Sequence, residues 1–149
     1  MSRFDQFTYC INAIDLHWHR IASAEMKAYG LKGSTAIYFT QLLNNPEGVT
    51  ASELAAVCGR DKADVSRELA LLEKADLIMR AESGKRGYRA PIRLTEKGRE
   101  LAQEIIRKAD MAVEIVGQEL SDEERETFYR ALEKITQRIQ ALSENGLPE

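Results

Sequence analysis

Residues 50–80, TASELAAVCGRDKADVSRELALLEKADLIMR, decide the fold because they contain two helix starts separated by a short turn. Thr50 and Glu53 have the spacing of a capping box, in which the hydroxyl and the carboxylate satisfy exposed N–H groups. The helix that they open is expected to end at Gly59, and Asp61 is expected to cap the next helix. The core face of this second helix is predicted to hold Val65, Leu69 and Leu72. The pattern is typical of a helix-turn-helix, although an ordinary helical hairpin has the same spacing.

The residues that follow have the pattern of a β-hairpin. Residues 77–82 and 88–94 are predicted to form two strands, and residues 83–87, SGKRG, the turn between them. Pro91 is expected to restrict the second strand to a sheet edge or an interrupted ladder. Segment 77–93 holds five basic residues and one acidic residue. A basic hairpin directly after a helix-turn-helix is typical of a wing, and the combination is more specific than either part.

Long helices are predicted on both sides of this region. Three stretches have sustained apolar stripes, which are typical of one face of a helix, and in the first and the last of them the apolar residues alternate at spacings of three and four. These helices are expected to begin near Ser2, Thr95 and Ser121, and Gly98 is expected to weaken the second one locally. These apolar stripes are longer than a small winged-helix core can cover. Helices of a second copy could cover them, so we predict a C2 homodimer. A three-helix bundle within one chain is the alternative.

The predicted fold is therefore mainly α-helical with a small β-hairpin wing: a winged helix-turn-helix with long N- and C-terminal dimerisation helices. We assign residues 1–30 to the N-terminal dimerisation helix and residues 31–94 to the winged helix-turn-helix. Residues 95–149 form the C-terminal helices that complete the dimerisation domain in this prediction. The length of 149 residues and the hydrophobic content of 44% suit one packed domain with an appended oligomerisation element.

The charge of the chain is unevenly distributed. The net charge of −3 excludes a uniformly basic protein. Residues 50–94 nevertheless hold nine basic and seven acidic side chains, whereas residues 95–149 hold eight basic and thirteen acidic ones. Positive charge is thus concentrated where a reader of DNA needs it, because a few well-aimed cations matter more than net charge.

Several classes of protein are not supported by the sequence. The absence of a long apolar run and of a signal-peptide pattern predicts no membrane span and a cytoplasmic location. The two cysteines are too few for a disulfide framework. His17 and His19 have a spacing that is unsuited to a shared metal ion, so no metal site is predicted. No Gly-rich phosphate loop or nucleophile motif appears, so we expect neither enzymatic activity nor a cofactor.

The order of these parts resembles the multiple antibiotic resistance regulator (MarR) family. Residues 50–80 are similar to that family's DNA-reading segment, and residues 92–102, IRLTEKGRELA, to its junction between strand and helix. Residues 31–43, LKGSTAIYFTQLL, are similar to its second helix. The resemblance covers nearly the whole chain. One departure is Gly84, which stands where the family's wing often has an aspartate that braces an arginine at the tip.

The resemblance implies a cytoplasmic transcription factor that binds a pseudo-palindromic operator in double-stranded DNA as a homodimer. The second helix of the motif would enter the major groove and the wing the adjacent minor groove. Many relatives are repressors that a small-molecule effector or an oxidant releases from DNA. The alternative function is a winged-helix module that docks other proteins and does not bind DNA, and strongly salt-dependent binding of duplexes would exclude it.

The residues predicted to contact DNA fall into three groups. On the second helix of the motif, Arg67 is suited to a guanine edge, although it could instead pair with Asp64 or Glu68. Basic residues of the wing are predicted to meet phosphates or the minor groove. Hydroxyl residues at helix N-termini suit phosphate binding, and helix capping explains them equally well. The predicted set is Lys62, Ser66 and Arg67; Lys85, Arg86 and Arg89; and Ser34, Thr50 and Ser52.

Two further sites are predicted near the first helix. An effector cleft between the dimerisation helices and the winged helix would be lined by His17, Trp18, Arg20 and Tyr38. Cys10 is a candidate redox residue, since some relatives sense peroxide through a cysteine in this region. A small packed thiol is the alternative there, because no neighbouring base in the sequence marks Cys10 as a thiolate.

Overall fold

The computed structural model describes residues 2–80 and 90–148. In chain order, its elements are α1 (Arg3–Lys27), a 3₁₀ turn (Gly33–Thr35), α2 (Ala36–Asn44), α3 (Ala51–Cys58), α4 (Lys62–Lys74), β1 (Ile78–Arg80), β2 (Ile92–Leu94), α5 (Glu96–Val116) and α6 (Asp122–Asn145). The predicted fold class, mainly helical with one antiparallel pair of strands, is confirmed. Two compact units, Met1–Arg107 and Lys108–Glu149, make up the chain. The functional division at residues 30 and 94 stays a prediction.

The helix-turn-helix forms through the caps that the sequence predicts. The Glu53 N–H donates to the Thr50 hydroxyl at 3.2 Å, and the Thr50 N–H donates to the Glu53 carboxylate at 2.7 Å. Helix α3 then ends at Gly59, whose φ of 59° lies in the left-handed region that favours glycine. The Asp61 carboxylate accepts from the Ala63 N–H at 3.1 Å and begins α4. These local interactions fix the short turn between the two helices.

The core of the first unit covers one face of α4. Val65, Leu69 and Leu72 are at most 1% exposed, as their spacing predicts. Their neighbours in the core come from every other element of the winged helix and include Tyr38, Phe39, Leu42, Leu54, Ile78 and Ile92. Because one face of α4 is held in this core, its opposite face is presented to solvent in a defined orientation.

The two strands pair antiparallel, with Ile78 opposite Leu94 and Arg80 opposite Ile92. The described part of the second strand begins at Ile92, directly after Pro91, which has no N–H to offer a ladder. The predicted start of this strand at residue 88 lies outside the described residues. Val49 adds an isolated bridge to Ile92 on the other side. Residues 81–89, which include the predicted turn, lie outside the described residues.

A tight junction joins the C-terminal end of α4 to the start of α5. The Thr95 hydroxyl donates to the Asp76 carbonyl at 2.6 Å and accepts from the Gly98 N–H at 3.0 Å. A Cβ atom on Gly98 would lie 1.8 Å from the carbonyl oxygen of Leu77. Gly98, which the sequence indicates only as a weak point of the helix, is therefore required by close backbone packing.

The second unit contains the end of α5 and the whole of α6. A capping box of Ser121 and Glu124 begins α6, as predicted. Arg125 bridges the connection, because its guanidinium contacts the Glu114 carboxylate at 2.6 Å and the Gly117 carbonyl at 2.9 Å. None of the described residues of α6 is buried. No described helix is both long enough and apolar enough to cross a membrane.

Candidate nucleic-acid interface

The solvent face of α4 carries the residues that the sequence predicts for base contact. Lys62, Ser66 and Arg67 are all exposed on the side opposite the buried core positions. Arg67 forms an ion pair with Asp64, one turn earlier, and its side chain is still 71% exposed. The predicted local pairing therefore exists, but it leaves the guanidinium accessible. In this arrangement Asp64 restricts the rotamers of an arginine whose donors suit a guanine edge.

The three hydroxyl residues predicted at helix N-termini have different environments. Ser34 lies within the 3₁₀ turn before α2, and its hydroxyl accepts from the Arg60 guanidinium at 3.2 Å rather than capping the helix. Thr50 is engaged in the capping box of α3. Ser52 is exposed in the first turn of that helix. Of the three, Ser52 has the hydroxyl that is most available to a ligand at the N-terminus of α3.

The described part of the hairpin is its base. Arg80 pairs with Glu73 at 3.4 Å, and the Arg93 guanidinium donates to the Glu47 carbonyl at 2.8 Å. These two arginines connect the strands to α4 and to the loop before α3. The predicted contacts of the wing, Lys85, Arg86 and Arg89, lie outside the described residues.

A cavity of about 490 Å³ opens beside α1 in the first unit. Helices α1, α2 and α3, the 3₁₀ turn and the end of the α3–α4 turn supply its lining, which includes Trp18, His19, Ser34, Ile37, Cys58 and Arg60. Of the four residues predicted for an effector cleft, Trp18 lines this cavity. His17 and Arg20 are exposed on α1 and are not part of the lining, whereas Tyr38 is fully buried behind it.

Arg60 is the polar group of the cavity that sequence reasoning missed. Its guanidinium donates to the Tyr38 hydroxyl and to the Ser34 hydroxyl, each at 3.2 Å. Within residues 2–80 and 90–148, the structure gives it no carboxylate partner. The only signal in the sequence is its position directly after Gly59. A cation held by neutral hydroxyls beside apolar walls is suited to a small organic anion.

Burial changes the acidity of two groups near this cavity. Desolvation raises the pKa of the Tyr38 hydroxyl, and the nearby Arg60 cation opposes that change. Desolvation likewise raises the pKa of the Cys58 thiol. Burial therefore disfavours the thiolate form of Cys58, whereas Cys10 is exposed on α1.

One buried carboxylate lies directly beneath the solvent face of α4. Glu68 is 5% exposed, and its Oε1 atom is 2.5 Å from the Nζ atom of Lys32. Lys32 directly precedes the 3₁₀ turn before α2. Sequence reasoning did not identify this pair, although Glu68 lies three residues after Val65 and therefore on the core-facing side of the helix. Among the described residues, no cluster of His, Cys, Asp and Glu could hold a metal ion.

A family model described as the MarR family matches residues 29–87. This segment is therefore similar to the MarR family. The matched segment runs from the end of α1 through α2, α3, α4 and β1. It therefore contains the helix-turn-helix, the Lys32–Glu68 pair and Arg60. No curated protein matches the sequence.

Solved structures extend the likeness in fold to most of the chain. A MarR transcriptional regulator from Methanosarcina mazei has a TM-score of 0.83 at 17% identity, over 95% of this chain and 99% of that one. A structure described as a MarR-family transcriptional regulator from Listeria monocytogenes, complexed with 26mer DNA, has a TM-score of 0.81 at 23% identity, over 95% and 96% of the two chains. The MepR–DNA complex of Staphylococcus aureus has a TM-score of 0.77 at 22% identity, over 89% and 97%. These likenesses show the winged-helix fold.

Proposed function

We propose that this chain is a dimeric, sequence-specific, DNA-binding transcriptional regulator, with α4 in the major groove and the basic wing in the adjacent minor groove. The observation that carries the proposal is the division of α4 into two faces. Val65, Leu69 and Leu72 fix the helix in the core, while Ser66 and Arg67 are exposed in the middle of its outer face. A helix that is held rigidly on one side and carries hydrogen-bonding side chains on the other is suited to reading base edges.

The composition of the hairpin and two similar structures support the same proposal. Segment 77–93 holds five basic residues and one acidic residue, a local excess that attracts phosphates despite the acidic net charge. Two of the similar proteins were solved with DNA. We propose accordingly that Lys62, Lys85, Arg86, Arg89 and Ser52 contact the sugar–phosphate backbone or the minor groove.

Selection of bound duplexes from a random pool tests this function. A dimer should enrich two related half-sites about 10 bp apart, centre to centre, which is one turn of the double helix. Binding should weaken steeply as salt rises, because phosphate contacts release counterions. Failure to enrich any duplex at low salt would contradict the proposal and favour the protein-docking alternative.

The dimer in this proposal rests on apolar stripes that one chain leaves exposed. On α1 the stripe consists of Phe4, Phe7, Ile11, Ile14, Trp18 and Ile21, and on α6 of Phe128, Leu132, Ile135, Ile139 and Leu142. Their exposed fractions range from 37% to 74%. Aligned apolar surface of this extent is a mark of an interaction site. Sedimentation equilibrium at micromolar concentration should give twice the mass of one chain, and a monomer would contradict the dimer.

We further propose that the regulator is a repressor released by a small effector, and that the cavity beside α1 binds it. The apolar walls and the Arg60 guanidinium favour a small organic acid. Trp18 is the only tryptophan of the sequence, so its fluorescence reports binding directly. In titrations with a panel of small carboxylic acids, Arg60→Gln should abolish the response and Arg3→Gln, a control at another exposed arginine of α1, should preserve it. Equal responses from the two variants would exclude Arg60 as the ligand for the acid.

Three further parts of the proposal rest mainly on the sequence. If an oxidant releases the regulator from DNA, we propose that it does so by oxidising Cys10, which is exposed on α1. We also propose a cytoplasmic location and a role without enzymatic activity, as expected of a transcription factor. Replacement of Cys10 by serine should leave peroxide without effect on DNA binding if Cys10 is the sensor. If peroxide still weakens DNA binding by that variant, Cys10 is not the sensor.

A further inference from the structure

The ion pair between Lys32 and Glu68 connects two parts of the winged helix that are distant in sequence. Thirty-six residues separate the partners, and the Lys32 ammonium donates to the Glu68 carboxylate at 2.5 Å. Glu68 belongs to the buried side of α4, whereas Lys32 precedes the turn that begins α2. The lysine side chain is 69% exposed and the glutamate side chain 7% exposed, so the chain of the lysine reaches inward from the surface to the carboxylate.

Stability alone is a poor explanation for this pair. Removal of a carboxylate from water costs several kcal/mol, and attraction to one cation roughly offsets that cost. Apolar residues of similar volume often stabilise a protein as well as such a pair does, or better. An ion pair is more directional than an apolar contact, because it holds the carboxylate of Glu68 in α4 against the ammonium of Lys32, before α2.

The two partners lie in different parts of the winged helix. Glu68 directly follows Ser66 and Arg67, the two residues proposed to read bases. Lys32 lies two residues before Ser34, at the beginning of the segment that leads into α2. The pair therefore fixes the rotation of α4 about its own axis relative to the segment that leads into α2. Contacts to phosphates set the register of a protein on DNA, and contacts to base edges then determine sequence preference.

We propose that Lys32 and Glu68 form a positioning pair that orients Ser66 and Arg67 toward the base edges. The proposal rests on the DNA-binding function proposed above. Glu68 does not itself contact DNA in this arrangement, because its carboxylate is buried. Loss of the pair should therefore weaken binding to the selected duplex much more than it weakens binding to an unrelated duplex.

A double variant tests the pair without changing the net charge. Lys32→Met with Glu68→Met removes one cation and one anion and leaves no buried carboxylate without a partner. The probes are the duplex that the wild-type chain selects from a random pool and a scrambled duplex of the same length. The affinity ratio of the two should fall about tenfold or more, comparable to the loss of one good base contact. Affinity for the scrambled duplex should stay within about threefold, since the net charge is unchanged.

Two controls separate positioning from stability. Glu104→Gln with Arg107→Gln removes an exposed ion pair from α5 and should preserve the affinity ratio. Lys32→Arg keeps a cation opposite Glu68 and should preserve most of the ratio as well. The thermal unfolding midpoint of the double-methionine variant should match or exceed that of the wild type. If that variant fails to fold, Lys32→Gln with Glu68→Gln keeps a polar contact without the charges and should show the same loss of ratio.

The outcomes distinguish this proposal from the proposed function. A wild-type ratio in the folded double variant would overturn the positioning role and leave DNA binding intact. Equal losses on the selected and the scrambled duplex would also overturn it, because Lys32 would then act as an ordinary phosphate contact. If the wild-type chain selects no duplex, the DNA-binding function fails, and the positioning role fails with it.

Discussion

Helices α4 and α6 have the same apolar spacing and opposite environments. In α4, Val65, Leu69 and Leu72 follow one another at intervals of four and three and are at most 1% exposed. In α6, the stripe that includes Leu132 and Ile139 has the same intervals, and its members are 37% to 46% exposed. Periodicity therefore specifies which face of a helix is apolar, and it does not specify what covers that face.

The difference lies in the source of the covering residues. The face of α4 is covered by α2, α3 and the hairpin, all of which belong to the same compact unit. The described residues of α6 have no such cover within the chain. If a second copy supplies it, as we propose, the stability of the winged helix should be intrinsic to one chain. The stability of α6 should then depend on protein concentration.

The largest expected effect comes from truncation of the buried face. Leu69→Ala should destabilise the winged helix by about 2–5 kcal/mol, because it removes buried methyl groups and leaves a cavity. Urea unfolding, followed by circular dichroism at two protein concentrations, measures the loss. The destabilisation should be similar at both concentrations.

Ile139→Ala in α6 is the matched variant for the exposed stripe. It should shift the monomer–dimer equilibrium toward monomer, so its unfolding midpoint should rise with protein concentration more steeply than that of Leu69→Ala. A loss in Ile139→Ala that is as large as that in Leu69→Ala and independent of concentration would show that one chain buries the stripe. That result would remove the contrast between the two helices.

A smaller effect is expected from the helix caps, which are alike in the two regions. Thr50→Ala and Ser121→Ala should each cost about 1 kcal/mol, the usual contribution of an N-cap side chain. Each variant loses the hydroxyl that accepts from the N–H three residues later, and keeps the backbone N–H that donates to the glutamate. Unfolding free energies of the two variants at pH 7 provide the comparison. A difference between them well beyond experimental error would show that one cap carries a further interaction.

The same caps predict a dependence on pH. Hydrogen bonds from Thr50 and Ser121 lower the pKa values of Glu53 and Glu124 below the ordinary value of 4.5. Because the folded pKa is the lower one, each contribution is complete above that ordinary value and is lost as the pH falls through the folded value. The backbone N–H, which is the larger cause, is kept in the alanine variants, so only the part of their cost that comes from the hydroxyl–carboxylate hydrogen bond should shrink between pH 5 and pH 3. A cost that stays constant over this range would contradict the role of the carboxylates.

The smallest effect concerns the two thiols and does not involve stability. Iodoacetamide should modify the exposed Cys10 before the half-buried Cys58 at pH 8. Because burial raises the pKa of Cys58 above its ordinary value of 9.0, its rate of alkylation should still be rising above pH 9. Peptide mass spectrometry across a pH series measures both rates. Faster modification of Cys58 at pH 8 would show that the cavity around it opens in solution.

The fold was predictable because its determinants are local. Thr50, Gly59, Asp61 and Ser121 lie within a few residues of the helix ends that they specify, and the structure confirms those ends. The pairing of Ile78 with Leu94 and of Arg80 with Ile92 falls within the two strands that the sequence predicts. The packing requirement for Gly98 was not predictable, because its close approach to the Leu77 carbonyl is not visible in the sequence.

The candidate sites were less predictable because they combine distant segments. His17 and Arg20 were chosen as neighbours of Trp18 in sequence, but the helix directs them away from the cavity. Arg60 approaches Ser34 and Tyr38 only after α2 and α3 pack together. The Lys32–Glu68 pair likewise forms across a separation of 36 residues. Exposure of Arg67, in contrast, followed directly from the buried positions on the same helix.

The most direct test of the account compares Arg67→Ala with the wild type on the selected duplex and on a scrambled duplex. The account predicts a loss of about 1–3 kcal/mol on the selected duplex, with relaxed preference at one base position, and little change on the scrambled one. Arg67→Lys, which keeps the charge but not the planar fork, should show most of the same loss. Unchanged binding of Arg67→Ala to the selected duplex, or equal losses on both duplexes, would contradict the proposal that α4 reads DNA sequence.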